Sequence, residues 1–179
     1  MEITNLCLVP ELIEEIHWSP PFGHCKALQE LELMDIPIHI EAPEGMLFIA
    51  STLNPARHSR NVTVWNRVLD MLASAPASTQ KISVELTVPM LVGIDGLFQG
   101  EAKAAARKAL LDDAQTLVQR ELEGFDWRRL DELLTQKTRT GLKQMLWYYP
   151  ASQSTWLSHY VVEMLVRSRD IIKFEPTVA

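Results

Sequence analysis

The chain contains few of the residues and segments that mark secreted or membrane-bound proteins. Two of its 179 residues are cysteines, Cys7 and Cys25, which is too few for a disulfide framework. No run of about 18 apolar residues occurs, so the sequence predicts no transmembrane helix. Residues 1–4 lack the positive charge that opens a signal peptide, and no apolar core follows them. These absences predict a cytoplasmic protein with no membrane association.

The sequence also lacks the spacing patterns of familiar catalytic and cofactor sites. Its seven glycines form neither a phosphate-binding loop nor a nucleophile elbow. His17, His24 and Cys25 are spaced too irregularly for a zinc site. Ser158 and His159 are adjacent on a predicted helix, where their side chains point about 100° apart. We therefore predict no catalytic residue, no metal ligand and no bound cofactor, which favours a binding protein over an enzyme.

Adjacent acidic residues occur at positions 14–15, 112–113 and 131–132. Each pair falls in a predicted helix, on a side that is expected to face water. General acid catalysis needs a carboxyl group whose pKa is raised, and burial is the usual way to raise it. The three pairs therefore predict solvated helix surfaces rather than an active site.

The composition predicts a folded core, because 47% of the residues are apolar and 22% are charged. The length fits one domain covering residues 1–179. Its first part, residues 1–98, carries the β-strand patterns, and residues 99–179 are predicted to be mostly helical.

The strand patterns favour an antiparallel sheet. Met34, Ile36, Ile38 and Ile40 alternate with polar residues or proline, which predicts one apolar strand face. Pro37 cannot donate to a ladder, so this strand is predicted at an edge. Met46 to Thr52 fits the returning strand of a hairpin, and residues 81–88 alternate as a further strand.

Helical patterns dominate the second half of the chain. Two helices are predicted before them, in the first half. The first covers residues 10–18, and the second begins near its predicted N-cap Asn61 and has an apolar stripe at Val62, Trp65, Val68, Leu69 and Leu72. Helices are predicted over residues 101–122 with Gly124 ending the helix, over residues 127–149 with Gly141 kinking or dividing the element, and from Ser152 or Ser154 onwards. Asp126 is the predicted cap of the second of these, and residues 171–174 are a predicted terminal strand. The predicted fold is α+β, with a mostly antiparallel N-terminal sheet, one or two short helices, and three or four C-terminal helices packed on it.

Charge is distributed unevenly along the chain, although the formal net charge is only −6. Residues 1–56 hold nine acidic residues and one basic residue, Lys26, whereas residues 57–179 hold 16 basic and 14 acidic residues. A surface of one sign raises the encounter rate with an oppositely charged partner. This asymmetry favours a binding role.

Two basic segments are candidate binding sites. Arg57, His58 and Arg60 precede a predicted helix N-terminus, where free N–H groups and the helix dipole favour an anion, unless the arginines pair with acids of the first 50 residues. Lys137, Arg139 and Lys143 lie in an acid-free stretch that is also rich in aromatic residues. Basic residues between aromatic rings suit single-stranded nucleic acid, but helical spacing and the acidic pI near 5.4 favour a core role for the rings.

The function favoured by the sequence is a non-enzymatic cytosolic protein-interaction module: an adaptor, a chaperone-like subunit or an inhibitor. Its candidate contact residues are those of the predicted edge strand and of an aromatic cluster: Met34, Ile36, Ile38, Trp147, Tyr148 and Tyr149. The edge strand would accept a strand of a protein partner or of a second copy. A nucleic-acid-associated protein is the first alternative. A small enzyme built around His39, His58 or His159 is the second.

Overall fold

The fold is described from a computed structural model, which describes residues 4–8, 22, 25–38, 57–87, 115–150 and 154–177. The chain groups into two compact units. The first comprises residues 1–36, 64–87 and 126–179, and the second comprises residues 37–63 and 88–125. The single domain expected from the chain length stays a prediction.

The described part of the first unit is built on a five-stranded sheet. Its strands are β1 (Asn5–Leu8), β2 (Glu30–Pro37), β3 (Lys81–Thr87), β4 (Gln144–Pro150) and β5 (Ile172–Thr177). They lie side by side in the order β1-β2-β3-β4-β5, so each strand is added next to the one before it. The β1–β2, β3–β4 and β4–β5 pairs are parallel.

Helices lie between these strands in the sequence. They are α1 (Arg57–Ser74), α2 (Trp127–Thr140) and α3 (Ser154–Met164), and a short 3-10 helix (Arg169–Ile171) leads into β5. Residues 115–123 are also helical. Alternation of strands and helices is the pattern of an α/β protein, since parallel neighbours need a crossover connection.

The prediction of an α+β fold with an antiparallel N-terminal sheet was therefore wrong. Alternating apolar and polar residues had favoured it, because such alternation usually marks an antiparallel sheet with one solvated face. Here parallel strands alternate as well. Crossovers that are right-handed and step in one direction place their helices on one face of the sheet, which leaves polar residues on the other face.

Strand β2 is an internal strand rather than the predicted edge strand. It lies between β1 and β3 in the sheet. Pro37 is its last residue, so the missing N–H removes no bond from the middle of the ladder. Residues 46–52, the predicted partner strand of the hairpin, lie outside the described residues.

The segment from Gly141 to Pro150 was predicted to be helical, and it is not. Gly141 has φ +125° and ends α2, while the N–H groups of Gly141 and Leu142 donate to the carbonyls of Thr138 and Lys137. This is the Schellman arrangement, in which a glycine conformation closes the last helical turn. The chain then enters β4 at Gln144.

Strands β2, β3 and β4 are aligned at their first residues. The carbonyl of Gln80 accepts hydrogen bonds from the N–H groups of Lys143 and Gln144, and Lys81 faces Gln144. The carbonyl of Gln29 accepts from Gln80 and Lys81 in the same way, which places Glu30 opposite Lys81. Residues at equal positions along β2, β3 and β4 therefore lie on the same face.

The apolar face of this sheet carries the core of the first unit. Its buried residues are Leu31, Leu33, Ile82, Val84, Leu86, Met145, Trp147 and Tyr149. Trp65 of α1 and Trp127 of α2 both stack against Trp147, with ring centroids 6.3 and 6.1 Å away. Tyr160 of α3 meets the Trp127 ring edge-on at 5.8 Å. These contacts place all three helices on the apolar face.

Several local predictions were confirmed. Trp65, Val68, Leu69 and Leu72 of the predicted stripe are buried on α1. Asp126 caps α2 by accepting the N–H of Arg129 at 2.9 Å. The terminal strand predicted at residues 171–174 is β5.

The second unit is described only in part. It includes residues 57–63 of α1 and the helical residues 115–123. Val118, Leu122 and Phe125 are buried, and the N–H of Gly124 donates to Glu121 in the turn that follows the helix. The helix end predicted at Gly124 is confirmed. The first predicted helix, residues 10–18, lies outside the described residues.

Candidate functional site

The face of the sheet opposite the Trp147 core is the candidate site, and we call it the polar face. Its side chains are Asn5 and Cys7 of β1, Glu30, Glu32 and Met34 of β2, Lys81, Ser83, Glu85 and Thr87 of β3, Gln144, Leu146 and Tyr148 of β4, and Lys173 and Glu175 of β5. The in-line register brings these residues together from all five strands.

Most polar-face side chains reach solvent. Asn5, Cys7, Lys173 and Glu175 are exposed, and the charged residues of the central strands are partly exposed. Lys81 and Glu30, which form an ion pair at 3.7 Å, keep 31% and 38% of their side-chain surface. A partner could contact these groups without unfolding the sheet.

Ser83, Leu146 and Ile36 are the exceptions on this face. Ser83 and Leu146 face each other across β3 and β4 and are buried, with 0% and 2% of their surface exposed. Ile36, two residues after Met34 in β2, is buried as well. The Ser83 hydroxyl makes no hydrogen bond within the described ranges. Solvent therefore does not reach the centre of the polar face, although it reaches the charged residues around it.

One row across the polar face combines charge with an aromatic ring. Glu85, Tyr148 and Glu175 lie side by side on β3, β4 and β5. Met34 of β2 continues the row in the register that the Gln29 carbonyl sets between β2 and β3. Tyr148 is half-buried, which leaves part of the residue accessible. A partly exposed tyrosine between carboxylates is a suitable anchor for a protein surface.

Asp131 was wrongly predicted to face water. It is buried on α2, and its carboxylate accepts hydrogen bonds from the backbone N–H groups of Arg167 and Ser168 and from the Ser168 hydroxyl. Its neighbour Glu132 is exposed and pairs with Arg128. Sequence adjacency could not separate the two, because consecutive helical residues point in different directions. The Asp131 carboxylate has a structural role.

The three predicted nucleic-acid contacts do not form one free basic cluster. The Lys137 Nζ donates to the carbonyl of Ala75 at 2.6 Å, and burial lowers the pKa of this ammonium group. The Lys143 Nζ donates to Gln80 Oε1 at 2.8 Å, while Arg139 is exposed in the last turn of α2. Two of the three cations are thus engaged with the turn between α1 and β3. Nucleic-acid binding stays a prediction.

The six predicted protein-contact residues are divided between core and surface. Four of them, Ile36, Ile38, Trp147 and Tyr149, are buried. Met34 and Tyr148 are partly exposed and belong to the polar face. Alternation along β4 explains the division within the aromatic cluster, because Trp147 and Tyr149 share one face and Tyr148 points to the other.

The predicted anion-binding residues lie at the beginning of α1. Arg57, His58 and Arg60 occupy its first turn, whereas the sequence placed the helix start near Asn61. Their side chains are outside the described residues, so anion binding stays a prediction. Of the histidines proposed for an enzyme, His159 is exposed on α3, and the side chains of His39 and His58 are not described.

The described ranges contain no cluster of three metal-ligating side chains. Neither Cys7 nor Cys25 forms a disulfide. Among the helices within those ranges, none has both the length and the apolar character needed to cross a bilayer.

Comparisons of the chain with protein-family models, with curated proteins and with solved structures each found no match. The polar face is therefore interpreted from its own geometry.

Proposed function

We propose that this chain is a non-enzymatic, cytosolic protein-interaction module that binds its partner through the polar face. Adaptor, chaperone-like subunit and inhibitor are the roles that fit such a surface. One observation carries the proposal: α1, α2 and α3 lie on the apolar face, and solvent-reaching charged and aromatic side chains of five strands line the other. Two cysteines outside any disulfide support a reducing compartment.

The charges of the polar face indicate the chemistry of the partner. Carboxylates come from Glu30, Glu32, Glu85 and Glu175, whereas ammonium groups come from Lys81 and Lys173. The surface is therefore negative, and it fits a partner that presents lysine or arginine side chains. Complementary charge mainly sets the encounter rate and the selectivity.

Tyr148 supplies the apolar contact of this interface. Its ring lies between Glu85 and Glu175 in the cross-strand register. Buried tyrosines contribute strongly to interfaces because a large ring is desolvated while the hydroxyl still finds a hydrogen-bond partner. We expect an apolar side chain of the partner to lie on this ring, with its basic side chains on the glutamates.

The test is affinity capture with three matched forms of the chain. The wild-type protein, a Tyr148→Ala/Glu32→Lys variant and an Arg128→Glu variant are immobilised and exposed to the same native cytosolic extract. Arg128 is an exposed residue of α2, so its reversal changes charge away from the polar face. Bound proteins are identified and their stoichiometry is measured by quantitative mass spectrometry.

We expect a stoichiometric protein to bind the wild-type and Arg128→Glu forms and to be lost from the polar-face variant. Circular dichroism and thermal melting confirm that all three forms are folded. Capture of the same protein by all three forms, or of no stoichiometric protein by any, contradicts the proposal.

A further inference from the structure

Strand β5 ends the described sheet on one side, and no described strand lies beyond it. In a strand, the N–H and C=O groups of successive residues point to opposite sides. The N–H of Gln144 points to β3, so the odd-numbered residues of β4 turn their polar groups towards β5. Because Met145 faces Ile172, Lys173 and Glu175 bond to β4.

The outer edge of β5 is consequently formed by Ile172, Phe174 and Pro176. Ile172 and Phe174 direct their N–H and C=O groups away from β4, and Pro176 offers only its C=O. An edge of this kind can pair with another strand.

The apolar side chains of β5 are covered less well than those of its neighbour. Ile172 and Phe174 are half-buried, although Met145 and Trp147, which face them on β4, are fully buried. Val166, in the turn that follows α3, is 63% exposed. This end of the sheet therefore exposes apolar surface beside strand backbone that no described strand pairs with.

We infer that a second copy of this chain binds here, with the two β5 strands antiparallel about a twofold axis at Phe174. In that register Lys173 of each copy lies opposite Glu175 of the other. Opposite charges therefore meet twice, on the polar side of the joined sheet. Residues that face each other without sharing hydrogen bonds have Cβ atoms about 4.5–5.5 Å apart, which suits an ion pair.

The backbone groups fit the same register. The two Phe174 residues exchange N–H···O=C bonds across the axis, and each Ile172 N–H meets the carbonyl of Pro176 in the second copy. Pro176 therefore acts only as an acceptor, so its missing N–H leaves no outward donor of β5 unpaired. Charge complementarity and donor placement select the same alignment, which favours a second copy over an unrelated strand.

Charge reversal tests this pairing in the full 179-residue chain. In the Lys173→Glu variant, the new carboxylate of each copy lies opposite Glu175 of the other copy. In the Glu175→Lys variant, the new ammonium group of each copy lies opposite Lys173 of the other copy. Two attractive pairs become repulsive in each variant, so we expect the dimer dissociation constant to rise about ten- to thirtyfold. Sedimentation velocity over a range of concentrations measures it.

Two further samples keep the test independent of folding defects. The double variant Lys173→Glu/Glu175→Lys restores both opposite pairs and should dimerise like the wild type. An equimolar mixture of the two single variants should form a heterodimer, because one chain then carries two glutamates and the other two lysines. Arg139→Glu, an exposed reversal on α2, should leave the dimer unchanged.

A wild-type chain that stays monomeric at every concentration overturns the inference. So does a dimer that neither single reversal weakens, or one that the double variant and the mixture fail to restore. The dimer does not depend on the proposed partner, and Tyr148→Ala should leave the dissociation constant within about twofold.

Discussion

The carboxylate of Asp131 holds Ser168 by two hydrogen bonds to Oδ1, one from the hydroxyl at 2.7 Å and one from the backbone N–H at 3.0 Å. Asp131 lies on α2 and Ser168 lies in the turn between α3 and the 3-10 helix. The N–H of Arg167 adds contacts of 3.2 Å to both carboxylate oxygens. Through these bonds α2 fixes the segment from which β5 begins.

Removing the Asp131 carboxylate should destabilise the protein. Asp131→Ala leaves the N–H groups of Arg167 and Ser168 and the Ser168 hydroxyl without their acceptor, so we expect a loss of about 3 kcal/mol in the free energy of unfolding. Urea denaturation followed by circular dichroism measures it. Glu132→Ala, at the exposed neighbouring position, should change the value by about 0.5 kcal/mol or less. Equal effects would contradict the role of Asp131.

Two buried serines should differ in their response to alanine. Ser168→Ala removes a hydrogen bond to the Asp131 carboxylate and should cost about 1–2 kcal/mol. Ser83→Ala removes a hydroxyl that is fully buried and makes no hydrogen bond in the described part of the chain. It should therefore be neutral or stabilise the protein by up to about 1 kcal/mol. A clear loss of stability in Ser83→Ala would show that its hydroxyl has a partner.

The conformation of Gly141 predicts a cost for any side chain there. A Cβ atom at this position would approach the Ala77 carbonyl to 3.5 Å, which is ordinary contact, so the cost comes from φ +125° alone. Gly141→Ala should lower the free energy of unfolding by about 1–2 kcal/mol. Gly124 is the matched control, because positive φ is found only at Gly141 among the described glycines. Similar losses at both positions would exclude backbone strain as the cause.

The cap of α2 predicts a smaller loss. Asp126→Ala leaves the Arg129 N–H without its acceptor and should cost about 1 kcal/mol. Asp70→Ala removes the other partner of Arg129, a side-chain ion pair in which both groups are partly exposed, and should cost about 0.5 kcal/mol or less. Thermal and urea unfolding compare the two. The reverse order would mean that the ion pair, and not the cap, stabilises this helix end.

The half-buried Lys137 side chain predicts a stability change at alkaline pH. Burial lowers its pKa from the ordinary value of 10.5. Between the lowered pKa and 10.5, the unfolded chain still holds a proton that the folded chain has released. The contribution of Lys137 to the free energy of unfolding therefore rises with pH through this window.

The measurement compares urea unfolding of the wild-type chain and of Lys137→Met at a series of alkaline pH values. Other titrating groups are common to both proteins and cancel in the difference. We expect the difference, wild type minus variant, to increase with pH. A difference that is flat or falls with pH would contradict burial of the ammonium group.

Local sequence patterns predicted the buried faces and the ends of helices where these depend only on residues close together in the chain. The α1 stripe, the Asp126 cap and the helix end at Gly124 follow from residue spacing and backbone capping, which act over four or five residues. The alternation in β3 predicted its two faces for the same reason. The residues of the polar face can also be recognised in the sequence, since charged residues alternate with apolar ones in β2, β3 and β5.

The direction of the strands could not be predicted from the same patterns. Alternation of apolar and polar residues indicates that one face of a sheet is solvated, and this occurs in both parallel and antiparallel sheets. The segment after Gly141 is ambiguous for a related reason. Seven residues from Gln144 to Pro150, rich in aromatic and aliphatic side chains, suit a buried helix turn or a buried strand equally, and only pairing with β3 and β5 selects the strand.

Apolar periodicity and capping correctly predicted the buried side of α1, the two faces of β3, the start of α2 and the helix end at Gly124, because these signals are short-range. The tertiary structure decided that the strands run parallel in sequence order, that Trp147 lies in the core while Tyr148 lies on the polar face, and that Asp131 is buried. Those outcomes depend on contacts between residues far apart in the chain, such as Asp131 with Ser168 and Trp65 with Trp147, and the spacing of neighbours does not encode them.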